Sequence, residues 1–349
     1  MGDWREVGVV EPARGKVDIL WAIDSSGSME WAQRELSTKF ENFAKELSAA
    51  DIDFRLGITS LDMCRPDLVD DAFCPENDRA SSAGSRGDLV SIQGVSTKYL
   101  TAATPEFIKK FGGAALLGTS GSGLEQGLSA AKFAVQKSAS GGANEGFIRS
   151  DARLSVIVLS DEEDDGIGMW EEDAWGAKGI KDYFGSPSYP IDPNWKAKFD
   201  YSNQHMTAHR FVSDMNSLKG TGKFQISAIT GVKNLAGQTY CYKDSAGKPF
   251  GPMEAGTNYQ KAAKLTGGVV ENICGQWASI LANLGRSTVE LTTRISIPTE
   301  PFPGTLEVYV NGTRWVDGFE FDAASKMVVF KSTPPYSANV VVRYREILR

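Results

Sequence analysis

The spacing of apolar residues changes character along the chain and divides it. Ile19-Leu20-Trp21-Ala22-Ile23 is an unbroken apolar run, and residues 154–159 form a second one broken only by Ser155. Runs without polar alternation predict strands covered on both faces, as in a parallel sheet sandwiched by helices. Between the runs apolar residues recur at helical spacing. Leu36, Phe40, Phe43 and Leu47 predict one helix over 29–49; Leu124, Leu128, Ala131 and Val135 predict another; Ala208, Phe211, Val212, Met215 and Leu218 mark a third. Further strands are expected at 52–59, 224–230 and 269–273, with an edge strand at 89–93 returning as a hairpin. Thr104-Pro105-Glu106 begins a short helix, 259–265 is helical, and 276–284 forms a closing helix. Strands alternating with helices give an α/β domain over 16–285, doubly wound around a mostly parallel, Rossmann-like sheet.

After about Arg286 the helical period disappears. Strand-like runs at 289–297, 306–310, 327–330 and 340–344 take over, Asn311-Gly312 is a strong hairpin signal, and Asp317-Gly318 is a second turn. Residues 286–349 are therefore expected to form a small all-β, sandwich-like module. It carries no chemistry of its own and suits a spacer, a partner surface or a stabilising flank. Residues 1–15 are expected to be an N-terminal extension.

The candidate chemistry sits where the apolar runs end. Asp24, Ser26 and Ser28 follow the first run at alternate positions of a tight loop, so all three can present a hard oxygen to one point. In open α/β sheets ligands bind at the carboxyl ends of strands. Such oxygens suit Mg²⁺, Mn²⁺ or Ca²⁺. The same residues could simply cap the helix that follows. Thr119 lies in the glycine-rich loop 118–123 above a helix start, and Asp161 ends the second run. If the two strands are parallel neighbours, Asp24 and Asp161 emerge side by side.

Together these five residues resemble the metal-ion-dependent adhesion site of von Willebrand factor A-type domains, whose pattern is Asp-x-Ser-x-Ser, then a Thr, then an Asp. Thr119 is preferred over Ser120 and Ser122 because it stands four residues before Gly123, as in that family. The resemblance spans about Arg14 to Gly285. It implies that Ser26, Ser28 and Thr119 bind the ion directly, and that Asp24 and Asp161 hold it partly through water and supply negative charge. One position would remain for a carboxylate presented by a protein or cell-surface partner. Trp170, Trp175 and Tyr183, in the long segment after Asp161, are candidates for the rim that meets such a ligand. Glu162, Glu163 and Asp164 offer a second cation site or outer support, or else a solvated acidic turn.

Composition narrows the classes. With 349 residues, 41% hydrophobic and 10% aromatic content, the chain is long and apolar enough for a packed two-domain protein. A net charge of −7 and the lack of any Lys/Arg run exclude a nucleic-acid binder of the basic-patch type. No apolar stretch approaches the roughly 18 residues of a membrane span. Met1-Gly2-Asp3-Trp4 does not begin a signal peptide, so the protein is either cytoplasmic or separated from an export segment.

Cys64, Cys74, Cys241 and Cys274 lack C-x-x-C spacing and lie in loops. By the resemblance those loops surround the metal face, and the even count fits disulfides 64–74 and 241–274, one of three connectivities. That favours an extracytoplasmic place, at the cell surface or in the periplasm, with a lipid anchor on a removed N-terminus as one arrangement. Catalysis is not expected. The two histidines, His205 and His209, flank Met206 where a zinc hydrolase of the H-E-x-x-H type needs Glu, and the glycine loop lacks the Lys of a P-loop. The alternative role is a scaffold subunit of a multiprotein complex with a purely structural metal.

Overall fold

The computed structural model describes residues 4–10, 15–63, 83–164, 206–232, 242–243, 249–250, 255–292, 294–323, 326–330 and 339–347. A six-stranded sheet runs in the order Leu100–Thr101, Asp53–Ser60, Lys16–Ile23, Arg153–Leu159, Phe224–Thr230, Val270–Asn272. All its neighbours are parallel except the short edge strand Leu100–Thr101. The two apolar runs are the central pair, in register from Val17 with Arg153 to Ile23 with Leu159.

Strand periodicity sends alternate residues to opposite faces, and both faces are packed. Val17, Ile19, Trp21 and Ile23 join one core with the helices Glu30–Lys39, Glu41–Ala49 and Trp277–Leu291. Leu20 and Ala22 join the other, with Gly127–Gln136, Ala208–Lys219 and Thr257–Thr266. Trp21, fully buried, meets Phe40, Phe43 and Phe111 edge-on at 5.5–6.4 Å between ring centres. This wall anchors the helices that carry one side of the site.

Several elements differ from the pattern the sequence predicts. The helix expected over 29–49 is two, separated at Phe40. The Thr38 hydroxyl donates to Arg34 O and Glu35 O, where it competes with the helical ladder. Residues 89–93 do not form the edge strand: Val90 N donates to Ile58 O, but Gly94 turns the chain at φ +69°, and the edge is Leu100–Thr101. The closing helix runs to Leu291, past the expected boundary. Trp277, Ile280, Leu281, Leu284, Thr288 and Leu291 keep one buried stripe, so β-branched Thr288 and Val289 are helical and the next strand starts at Arg294.

The C-terminal strands make two antiparallel sheets around Ile295, Val308, Val310, Val328, Phe330, Val340, Val342 and Tyr344. One is three-stranded: Arg294–Ser296, Met327–Phe330, Phe319–Asp322. The other is four-stranded, and its outer member is Trp4–Val10, antiparallel to Asn339–Arg345 from Trp4 with Arg345 to Val10 with Asn339. Within the expected N-terminal extension, residues 4–10 are thus a strand of this sheet. Asn311 and Gly312 both have positive φ (50° and 78°), the tight hairpin turn their dipeptide predicts. Among the described residues no helix is long and apolar enough to cross a membrane.

Candidate metal site

Because the central strands are parallel neighbours, Asp24 and Asp161 leave the sheet at the same end. Asp24 N extends the ladder by donating to Leu159 O at 2.9 Å. The Asp24 carboxylate is fully buried. Its Oδ1 accepts the Ser26 N–H at 2.7 Å and its Oδ2 accepts the Ser160 hydroxyl at 2.8 Å. This folds the loop so that Ser26 Oγ and Ser28 Oγ lie 3.2 Å apart, and Ser28 Oγ donates to Asp161 Oδ1 at 2.9 Å. Four of the five expected residues therefore form one connected group. The short helix-capping role weighed for Asp24 and the serines is not what they do: Glu30–Lys39 begins after Met29 with no side-chain cap.

Thr119 is in the adjoining loop but outside this hydrogen-bonded group, and it is exposed. Its loop is pinned against the first. Gly121 N donates to Ser25 O at 2.9 Å, and a Cβ on Gly121 would come within 2.2 Å of Ser25 Oγ, so only glycine permits the approach. Gln33, missed in the sequence, ties both loops through its side-chain amide. A polar residue on the buried face of an amphipathic helix was the available signal.

The electrostatics of the group are one-sided. Asp161 is pushed up to about 8, first by burial, then by the Asp24 and Glu162 charges, against a lowering from the Ser28 hydroxyl. Burial also raises Asp24, with hydrogen bonds from Ser26 and Ser160 opposing it. Neither carboxylate has an ion-pair partner among the described residues. Asp161 Oδ2 is buried with no hydrogen-bond partner among the described residues. Unpaired buried carboxylate oxygen is costly unless a cation or proton meets it. Together with two convergent serine hydroxyls it forms a donor set of hard oxygens that fits Mg²⁺, Mn²⁺ or Ca²⁺. No group of three or more His, Cys, Asp or Glu suited to a metal occurs among the described residues; the present set has two carboxylates and relies on hydroxyls. The edge of the group opens outward, since Gly27 and Thr119 are exposed and Ser28 half-buried.

The acidic run after Asp161 is not a solvated turn. Glu163 is buried: its Oε1 accepts Asn258 N at 2.9 Å and its Oε2 accepts Thr257 N at 2.7 Å, which places its charge at the start of Thr257–Thr266. Asp164 Oδ2 likewise accepts Leu128 N at 2.9 Å at the start of Gly127–Gln136. Both side chains hold helix N-termini beneath the site. Glu162 is half-buried, with its backbone tied to the Ser160 hydroxyl. Cys274 is disulfide-bonded, but no pair is complete among the described residues. Cys64, Cys74, Cys241, Trp170, Trp175 and Tyr183 lie outside the described residues.

No family model and no curated protein matches the sequence. Solved structures do show likeness. A von Willebrand factor type A protein from Catenulispora acidiphila is 10% identical, with all of this chain and 66% of that one covered at a TM-score of 0.36. The pilus adhesin SpaC from Lactobacillus rhamnosus GG is 13% identical, with 98% and 40% covered at 0.42. The three N-terminal domains of a type V pili tip protein from Porphyromonas gingivalis are 13% identical, with 97% and 62% covered at 0.38. The chain thus spans between 40% and 66% of the length of the solved chains it is similar to.

Proposed function

We propose that this protein is a metal-dependent binding module, not an enzyme. Asp24, Ser26, Ser28, Thr119 and Asp161 would hold one divalent cation, and through it a carboxylate on a protein or cell-surface partner. The observation that carries the reading is the buried Asp161 Oδ2, without a hydrogen-bond partner among the described residues, in a group that already joins Asp24, Ser26 and Ser28. A bound cation would supply a Lewis-acidic position for an outside anion. The chain's own part is to keep neutral hydroxyls at the open edge and carboxylates in the buried wall. Such a wall fixes the ion without fully cancelling its charge toward the solvent side. Electrostatic attraction of this kind anchors an interface, and loop contacts around it set specificity.

The same reading places the protein outside the cytoplasm, with disulfides Cys64–Cys74 and Cys241–Cys274 bracing loops around the metal face, and gives the β module the part of a spacer or stabilising flank. A structural metal in an assembly scaffold is the second reading, favoured by the full burial of Asp24 and Asp161. Thr119→Ala separates the two. An adhesive site loses Mg²⁺-dependent retention of a carboxylate-bearing partner while the melting temperature in EDTA moves by less than about 1 °C, because an exposed hydroxyl contributes little to stability. Retention that survives both Thr119→Ala and EDTA, measured by pull-down from candidate surfaces, would contradict the adhesive reading.

A further inference from the structure

Gln33 lies in the first helix after the Asp24 loop, with a side chain only 1% exposed. Its Nε2 donates to Asp24 O at 2.8 Å and to Gly118 O at 2.9 Å, and its Oε1 accepts Gly118 N at 3.1 Å. One amide thus satisfies both polar groups of Gly118 and one of Asp24. A side-chain amide offers two donors and an acceptor in one plane, which no carboxylate, hydroxyl or apolar side chain of this length can do. Every partner is main chain, and the two segments it joins are far apart in sequence. Gly118, at φ +82°, directly precedes Thr119. Clamping its peptide on both sides fixes where the next residue leaves the loop. The Gly121–Ser25 contact holds the far side of the same loop, so Thr119 sits between two attachments. Thr119 itself makes no hydrogen bond to the serines or carboxylates, and its place beside them depends on these backbone ties.

We infer that Gln33 is a positioning residue for cation binding: its amide sets the register of the Thr119 loop against the Asp24 loop, and its contribution reaches the ion through Thr119. This rests on the cation site proposed above. Groups that orient metal ligands without touching the metal typically change affinity by roughly 10–100-fold when removed.

The test is a double-mutant cycle on the full chain with Mn²⁺ as probe, in which free Mn²⁺ is measured by electron paramagnetic resonance for wild type, Gln33→Met, Thr119→Ala and the double variant. Gln33→Met is expected to weaken Mn²⁺ binding at least about tenfold. The double variant should bind no more weakly than Thr119→Ala alone, since the clamp has nothing left to position. In EDTA, hydrogen exchange at the Gly118 amide should accelerate in Gln33→Met while the Ile23 and Leu159 amides keep their protection, a readout that general loss of stability would not give.

Unchanged Mn²⁺ affinity in Gln33→Met, or losses that multiply in the double variant, overturns the inference and leaves the cation site standing. Absence of Mn²⁺ binding by wild type overturns the cation site itself, and the inference with it. If Gln33→Met does not fold, Gln33→Glu takes its place in the same cycle. It keeps an acceptor for Gly118 N but loses both donations, and the coupling with Thr119→Ala is judged by the same criterion.

Discussion

Asp161→Asn is expected to make the metal-free protein more stable at alkaline pH while abolishing its response to Mg²⁺. The reason lies in the sign of the proton linkage. Burial and the neighbouring carboxylates lift Asp161 from an ordinary 3.8 to about 8. Between those values the folded chain holds a proton that the unfolded chain has released. Stability from this group is therefore full below about pH 4 and is lost as pH rises through about 8. Asn mimics the protonated carboxyl and does not titrate. Its Oδ1 can still accept from Ser28, and no second charge faces Asp24. Thermal melts in EDTA should show the two proteins converging below about pH 4. At pH 8.5 the variant should lead by about 1–3 kcal/mol, the usual cost of a buried unsatisfied group. With Mg²⁺ at a hundred times its dissociation constant, wild type alone should gain about 2.7 kcal/mol. A variant that is less stable than wild type at pH 8.5 without metal, or that keeps the Mg²⁺ gain, would rule out Asp161 as the oxygen waiting for the cation.

Arg149→Met is expected to cost about 3 kcal/mol of folding stability and leave cation affinity unchanged. Asp18 sits near the start of the Lys16–Ile23 strand, at the opposite end from Asp24, and is fully buried. Arg149 is its main partner. The guanidinium Nε donates to Asp18 Oδ1 at 2.8 Å, the Arg149 backbone N–H donates to Oδ2 at 2.6 Å, and Nη1 reaches Asp53 Oδ1 at 2.9 Å. Nη2 adds bonds to Val17 O and Asp53 O, which ties two neighbouring strands together. Lys219 stands 4.0 Å from Asp18 Oδ2 and donates to Arg149 O, so it cannot replace the fork. Breaking a buried pair from one side leaves the other charge uncompensated, which costs more than the pair was worth. Asp18→Asn in the Arg149→Met background should recover part of the loss. Denaturant titration measures both, and a loss below about 1 kcal/mol would show that water or Lys219 already compensates Asp18.

The central architecture was legible because Ile19–Ile23 and the 154–159 run have no solvent face to disguise them, and their ends place Asp24 and Asp161 together once the strands are parallel. Asn311-Gly312 was legible for a different reason: few other dipeptides tolerate two successive positive φ values. Where expectation failed, tertiary packing had outweighed local preference. Thr288 and Val289 favour strands in isolation, yet they continue a helix whose buried stripe is already committed at Trp277 and Leu284. Leu89, Val90 and Ile92 are apolar and buried as a strand's inner face would be, but beyond the Val90–Ile58 bond the described residues show no second ladder bond to the neighbouring strand. Trp4–Val10 has no local signal that its partner lies more than three hundred residues away. Within the site, five ligand candidates could be named from loop spacing and strand ends, whereas Gln33 showed only as a polar residue on the buried face of a helix. Its role depends on two loops meeting, which only the fold brings about.

The pairing of Trp4–Val10 with Asn339–Arg345 sets the strands and helices of the six-stranded sheet, in sequence, between two partners of one antiparallel sheet. A fragment cut at Lys16 would retain every proposed cation ligand and still tear an outer strand from the four-stranded antiparallel sheet. Arg5 would be severed from Glu346, and the Trp4 ring from Arg343 and Arg345. Expression trials that trim the first fifteen residues as a dispensable tail should yield a protein prone to sheet-edge self-association, while the chain that keeps Trp4–Val10 stays dispersed.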